Sequence, residues 1–275
     1  MQRYLLSLIT LCGLLCASMC PPASAQATPS TEASSGDWRF DVAPMYLWLP
    51  ALDGDVTVRG RTSSVNVSMG KFIETLLDSF KFAATGRFEA HRGDLLLTLD
   101  LIYMRFEEDG ETPGGLFQTN VEFSNLITEF GGGYRLGEWS LGAGTGTALA
   151  VEVLGGGRYV RLDGDLEIAG AGPLGARVDV DGTVDWIEPF VGARLRLILA
   201  ENLAFVVRGD AGGFGLGSNL TWSLVASVQT QISRKVTLVF GYRLLDIDYD
   251  EGSGTSRFVY DVLMHGPMFG AVLRF

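Results

Sequence analysis

Residues 80–106 read FKFAATGRFEAHRGDLLLTLDLIYMRF, and the order of their side chains decides the fold. Two runs flank the polar connection HRGD at 91–94. In the first, Phe82, Ala84, Gly86 and Phe88 alternate with Lys81, Ala83, Thr85, Arg87 and Glu89; in the second, Leu95, Leu97, Leu99, Leu101 and Tyr103 oppose Thr98 and Asp100. A period of two on both sides of a short Gly-containing link predicts two antiparallel strands. Soluble sheets also alternate, so the environment of the two faces must come from the rest of the chain.

The same period recurs from Asp37 through the first strand and at 118–136, 149–162, 177–199, 203–214, 220–232, 236–249 and 258–275, which with 80–91 and 94–106 makes ten strands. The links alternate in length. Short ones fall at 91–94, 199–202 and 233–235, with 137–148 somewhat longer; the other set comprises 50–79, 107–117, 163–176 and 250–257, with 215–219 tight. An even strand number with short turns at one end and longer loops at the other predicts an all-β antiparallel transmembrane β-barrel, with both chain ends on the short-turn side. Eight or twelve strands stay open, because 137–148 has room for a hairpin and the weakest strands could fall out. Trp38, Phe40, Val42, Tyr46 and Trp48 share one parity in the first strand. At ~3.3 Å per residue and ~40° tilt, Trp38 to Trp48 spans about 25 Å, the height of a lipid-facing band between aromatic girdles. The 47% hydrophobic content is then expected on the outside of the strands and not in a core.

The amino terminus reads as an address. Arg3, the apolar stretch YLLSLITLCGLLCASM and the small residues Ala23-Ser24-Ala25 form a secretory signal over 1–25, and 26–36 is a flexible polar lead before a barrel of 37–275. Cys12, Cys16 and Cys20 all lie in the signal, so disulfide and thiol chemistry are not expected in the mature chain. No later run approaches the ~18 apolar residues of a spanning helix. A formal charge of -11 argues against nucleic acid as a partner.

Eighteen of the 21 cationic residues are Arg. A planar guanidinium fork suits fixed pairs with carboxylates away from water. The parity opposite the lipid face carries Arg87, Glu89, Asp100, Glu129, Glu152, Arg158, Glu188, Arg194, Arg196, Arg208, Asp210 and Arg243, with Gly131, Gly133, Gly156, Gly192, Gly212 and Gly241 making room for them. A narrow charge-paired lumen follows. Mixed charges at one depth pair off more naturally than they line a path, so a structural polar core outweighs a charged constriction.

In the first long loop, GKFIETLLDSF (70–80) can place Phe72, Leu76, Leu77 and Phe80 on one face of a short helix, expected to fold over the mouth as a lid in preference to the alternative of lying at the outer-leaflet interface. Acids are read as crowding the long loops and the strand ends that run into them, including Glu107, Asp163, Asp179, Asp246, Asp248, Asp250 and Glu251. Asp246-x-Asp248-x-Asp250 imitates a calcium loop but has Glu251 where glycine is required, so no metal and no cofactor is expected. Of the two histidines, His91 falls in a short turn and reads as solvated. His265 lies nearer the outer rim with Asp261 on its own parity, the one arrangement suited to a base and its orienter; no G-x-S-x-G element accompanies it, and an enzyme is not the expectation. Pro44, Pro189 and Pro267 interrupt proposed strands, where bulges and slips of parity are expected.

The chain ends AVLRF with a terminal aromatic, Phe275, resembling the strand that barrel assembly machinery recognises. The segments YLWLPALDGDVTV, GRFEAHRGDLLLTLDLIYMR, GGGRYVRL, WIEPFVGARLR, RGDAGGFGLGSNLTW, FGYRLLDIDYD and HGPMFGAVLRF are similar to a widespread family of uncharacterised Gram-negative outer-membrane β-barrel proteins. The resemblance implies the fold, the bacterial outer membrane as location, and lipid, lipopolysaccharide and the assembly machinery as partners. It carries no activity. The expected role is structural or that of a restricted, porin-like pore or binding site for small solutes; the alternative is a lipid-active enzyme near His265.

Overall fold

The computed structural model describes residues 37–58, 60–70, 83–111, 117–142, 146–170 and 177–275. Among these residues thirteen strands form one sheet: β1 (Arg39–Ala43), β2 (Tyr46–Trp48), β3 (Ala51–Val58), β4 (Arg61–Val67), β5 (Ala83–Arg92), β6 (Leu95–Glu111), β7 (Phe117–Ser140), β8 (Ala148–Gly170), β9 (Arg177–Ala200), β10 (Leu203–Gly212), β11 (Leu220–Ser233), β12 (Val236–Glu251) and β13 (Phe258–Arg274). β1, β2 and β3 are consecutive pieces of one stave, paired along β13, and β1 also pairs with β5. The sheet therefore closes as an antiparallel ten-strand barrel, with β4 added outside the circuit as a hairpin on β3. Phe40 and Phe275 exchange backbone hydrogen bonds at 3.2 and 2.8 Å, so both ends of the barrel chain meet on the short-turn side. The proposed signal, the polar lead and the 71–80 part of the proposed lid helix lie outside the described residues.

Of the three strand prolines, only Pro44 shifts the register. Val42 pairs with Leu273 and Tyr46 with Gly270, four residues along the first stave against three along β13. The extra residue is a bulge, and it reverses parity. Trp38 and Phe40 face outward, whereas Tyr46 and Trp48 are buried in the lumen. The two-girdle span expected from Trp38 to Trp48 is thus wrong, because the strand between them is not continuous. Pro189 and Pro267 cause no slip in their pairings with β8 and β12. Pro189 sits where β10 stops, its carbonyl capping Gly213 N at 3.0 Å, so its missing donor costs no ladder bond. Pro267 faces the break between β2 and β3 and accepts from Leu49 N at 3.0 Å.

Leu95, Leu97, Leu99 and Leu101 of β6, Val153 of β8, Ile187, Val191, Leu195 and Leu199 of β9 and Phe240 of β12 form an exposed apolar band around the outside. β9 has 24 residues, which at ~3.3 Å each is far longer than a tilted strand needs to cross a band ~25 Å tall. The surplus rises beyond the band, and there the two faces exchange character. On β8, Val153 is outside and Glu152 and Arg158 inside; a few residues on, Arg161 and Asp163 are outside while Val160 and Leu162 are buried inside. On β12, Phe240 is outside and Arg243 inside, followed by Leu245, Ile247 and Tyr249 buried inside. Parity is kept; the solvent outside has changed from lipid to water.

Two expectations are corrected by this exchange. The hydrophobic residues do not all face lipid: Ile102, Ile127, Val160, Leu245, Ile247 and Met264, each no more than 1% exposed, belong to an apolar core inside the outer half of the barrel. Nor do the acids sit in loops. Asp246, Asp248 and Asp250 lie on β12, Asp163 on β8, Asp179 on β9 and Glu107 on β6.

Candidate functional site: the filled lumen

The lumen is built from the inward parity of every stave, and at mid-height that parity supplies guanidinium and carboxylate groups. Arg158 is fully buried and reaches three acids: its Nε donates to Glu129 at 3.3 Å, Nη1 to Glu188 at 2.9 Å and Nη2 to Asp210 at 2.5 Å. Arg243 donates to Asp100 at 3.1 Å and to Glu129 at 2.8 Å. Arg208 reaches Glu129 at 2.8 Å and Asp210 at 3.3 Å, and Arg87 reaches Asp100 at 2.6 Å. Lower, Arg194 joins Glu152 at 2.5 Å and Glu89 at 2.8 Å. Gly131 and Gly156 face each other beside Glu129 and Arg158; a Cβ on either would collide with the neighbouring backbone, at Gly155 and Phe130 respectively. Their bare backbone leaves the lumen to the long side chains.

Of the twelve charged residues read onto the inward parity, eleven are ion-paired with one another in two connected groups, and Arg196 stands outside both among the described residues. Neutral residues that composition gave no reason to select complete the layer. Tyr46 Oη donates to Asp100 at 2.9 Å, Trp186 Nε1 donates to Glu188 at 3.1 Å, and the Ser218 and Thr221 hydroxyls also bond Glu188. The Arg243 guanidinium lies 5.3 Å from the Trp48 ring centroid. Tyr46 and Trp48 were hidden by the bulge at Pro44.

Above this layer the apolar core fills the lumen. Below it a cavity of about 250 Å³ opens at the short-turn end, reaching Ala200, Glu201, Asn202 and Leu203 of the β9–β10 turn. Arg87, Arg194, Arg196, Arg208 and Arg274 line it, against Asp41, Glu89 and Glu201. Ile198, Val206, Val225, Val239 and Met268 supply an apolar wall. His91 is not a solvated turn residue: it is 7% exposed, on β5, with Nε2 3.3 Å from Glu89 and 3.7 Å from Asp41. An inward position at the end of a strand accounts for the difference.

His265 lies on the outer face of β13. Its partner is Asp53 of β3 and not Asp261: Nε2 is 3.1 Å from Asp53 Oδ2, and Nδ1 is 2.7 Å from the Tyr242 hydroxyl. Asp261 instead pairs across the sheet with Asp55 and Asp248 in register, four residues earlier on β13. Among the described residues no group of three or more His, Cys, Asp or Glu is arranged to hold a metal ion.

A closed antiparallel barrel, an exposed apolar band around its waist, and charges confined to the lumen at that height are features that only a lipid bilayer satisfies. The chain is a transmembrane β-barrel protein. No protein-family model matches it, and no curated protein matches its sequence. Similar solved structures include the outer membrane protease OmpT of Escherichia coli, 8% identical with a TM-score of 0.46 over 90% of this chain and 100% of that one. The translocator domain of the autotransporter NalP of Neisseria meningitidis is 13% identical, TM-score 0.35, over 88% and 90% of the two chains. Ail, the attachment invasion locus protein of Yersinia pestis, is 11% identical, TM-score 0.31, over 86% and 97%.

Proposed function

We propose that this outer-membrane barrel is closed to through-flow and holds a small solute in the blind half of its lumen that faces the periplasm. The observation that carries this reading is the stacking of two seals. Asp100, Glu129, Arg158, Glu188 and Arg243 cross the lumen at 0–2% exposure, and the apolar residues above them are equally buried. An ion would have to break a paired layer and then enter a dry one, each costing several kcal/mol. The test is conductance of the purified protein in a planar bilayer. No steady current above background is expected, and a reproducible open level would overturn the proposal.

A second reading, a lipid-active enzyme, rests on the Tyr242–His265–Asp53 chain of contacts on the outer wall. A base held between a hydroxyl and a carboxylate is a workable proton-transfer unit. Its test compares lipid A and phospholipid mass spectra of cells carrying wild type or His265→Ala. Identical spectra would remove this reading.

A further inference from the structure

We infer that the blind cavity takes a small amphipathic carboxylate, bound head-first to Arg196 from the periplasmic end; the inference rests on the blind-lumen reading above. Arg196 differs from the other cavity arginines in its partners. Arg87, Arg194, Arg208 and Arg274 each contact a carboxylate, at 2.6, 2.5, 2.8 and 2.9 Å. Arg196 lines the same cavity, yet among the described residues its one side-chain hydrogen bond is from Nη1 to the Gln229 side-chain oxygen at 3.0 Å, and no carboxylate lies within ion-pair distance. An amide fixes the fork without neutralising it. A structural arginine in a lumen that otherwise matches charge with charge would be expected to have an acid beside it.

Arg194 adds a second observation. It is 7% exposed and lines the cavity; Glu152 and Glu89 occupy its Nε and Nη1, while Nη2 has no partner. Two guanidinium groups two residues apart on the inward face of β9 thus retain donor capacity on one side of the cavity. A planar fork matches a carboxylate in geometry as well as charge.

The apolar wall of the cavity sets the body of the ligand, with Ser227, Gln231 and Thr237 supplying a polar remainder. Val206, Val225, Val239 and Met268 offer nothing to a sugar or a second charge but would shelter a ring or short chain. The volume, about 250 Å³, lies below the ~300–1,000 Å³ usual for drug-sized ligands, so the body is a single ring or a chain of a few carbons. Entry is from the short-turn mouth, because the charged layer closes the other side.

The test is calorimetric titration of the full barrel in detergent with benzoate, benzylamine and inorganic phosphate, using wild type, Arg196→Gln, Arg196→Lys and, as a control on the outer wall, Arg161→Gln. Benzoate should bind more tightly than phosphate, and benzylamine should give no heat of binding. Arg196→Gln should weaken benzoate by about tenfold or more, the loss of one charged hydrogen bond. Arg196→Lys should recover part of it, and Arg161→Gln should leave it unchanged. Failure of benzoate to bind, equal binding of benzylamine or phosphate, or indifference to Arg196→Gln would overturn the inference. Unchanged far-UV circular dichroism separates loss of the site from loss of the fold. A conducting barrel that still binds benzoate through Arg196 would defeat the closed-barrel proposal alone; a non-conducting barrel that ignores benzoate would defeat this one alone.

Discussion

Arg243 of β12 and Glu129 of β7 meet at 2.8 Å in the centre of the lumen, although their strands stand five staves apart on opposite walls. The pair is a strut across the barrel. Glu129 also receives Arg158 and Arg208, so one carboxylate serves three guanidinium groups.

Replacing Glu129 by Ala should therefore be severe. Three buried cations lose a shared counter-charge, and breaking a buried network from one side costs ~3–5 kcal/mol. Urea unfolding in lipid vesicles should show that loss. The Glu129→Ala/Arg243→Ala pair should be less destabilising than the two single losses added together, since the strut is removed from both sides. Additive losses would show that the two side chains do not interact.

The exchange of polarity along the strands gives contrasting outcomes for the same substitution on one face. Val153→Arg places a charge in the lipid band and should cost ~2–4 kcal/mol. Thr183→Arg, on the outer face beside Asp163 and beyond the band, should change stability by no more than ~0.5 kcal/mol. Equal penalties at both sites, read by the same unfolding assay, would mean that the band extends further than Tyr159 and Ile187.

The bulge at Pro44 can be read by fluorescence. Variants retaining only Trp38 or only Trp48 should differ in quenching by lipids brominated near the carbonyl end. Trp38, outward and 44% exposed, should be quenched; Trp48, inward and 2% exposed, should not. Comparable quenching would restore a continuous first strand.

The outer rim carries a pH signature. Beyond the lipid band, Asp250 accepts from Arg257 Nη2 at 2.6 Å, and this hydrogen bond holds the carboxyl below its ordinary value. A depressed carboxyl pKa favours the folded state above the ordinary range near ~3.9, and the benefit is lost as pH falls through the lower folded value. In Arg257→Gln the Asp250 midpoint, followed by carboxyl-carbon NMR, should rise toward the ordinary range; an unmoved midpoint would show the contact to be absent in solution.

Much of this molecule is legible in its residues. The period of two, the unequal links and the inward charges suffice for an antiparallel barrel with a charge-paired lumen, because side-chain direction in a strand follows from parity alone. Even the exchange of polarity is written in RYVRLDGD and LLDIDYD, where the apolar parity swaps sides midway. What parity does not state is the medium on each face, which depends on how far along the barrel a residue stands. Three things required the closed barrel. The one-residue bulge that turns Tyr46 and Trp48 inward is visible only against the register of β13. Asp53, Tyr242 and His265 come together only because β3, β12 and β13 are neighbours. And Arg196 is distinguished from its fellow arginines not by its place in the sequence but by having no carboxylate within ion-pair distance among the described residues, since ion pairing in a barrel is decided by strands that are distant in the chain and adjacent, or opposite, in space.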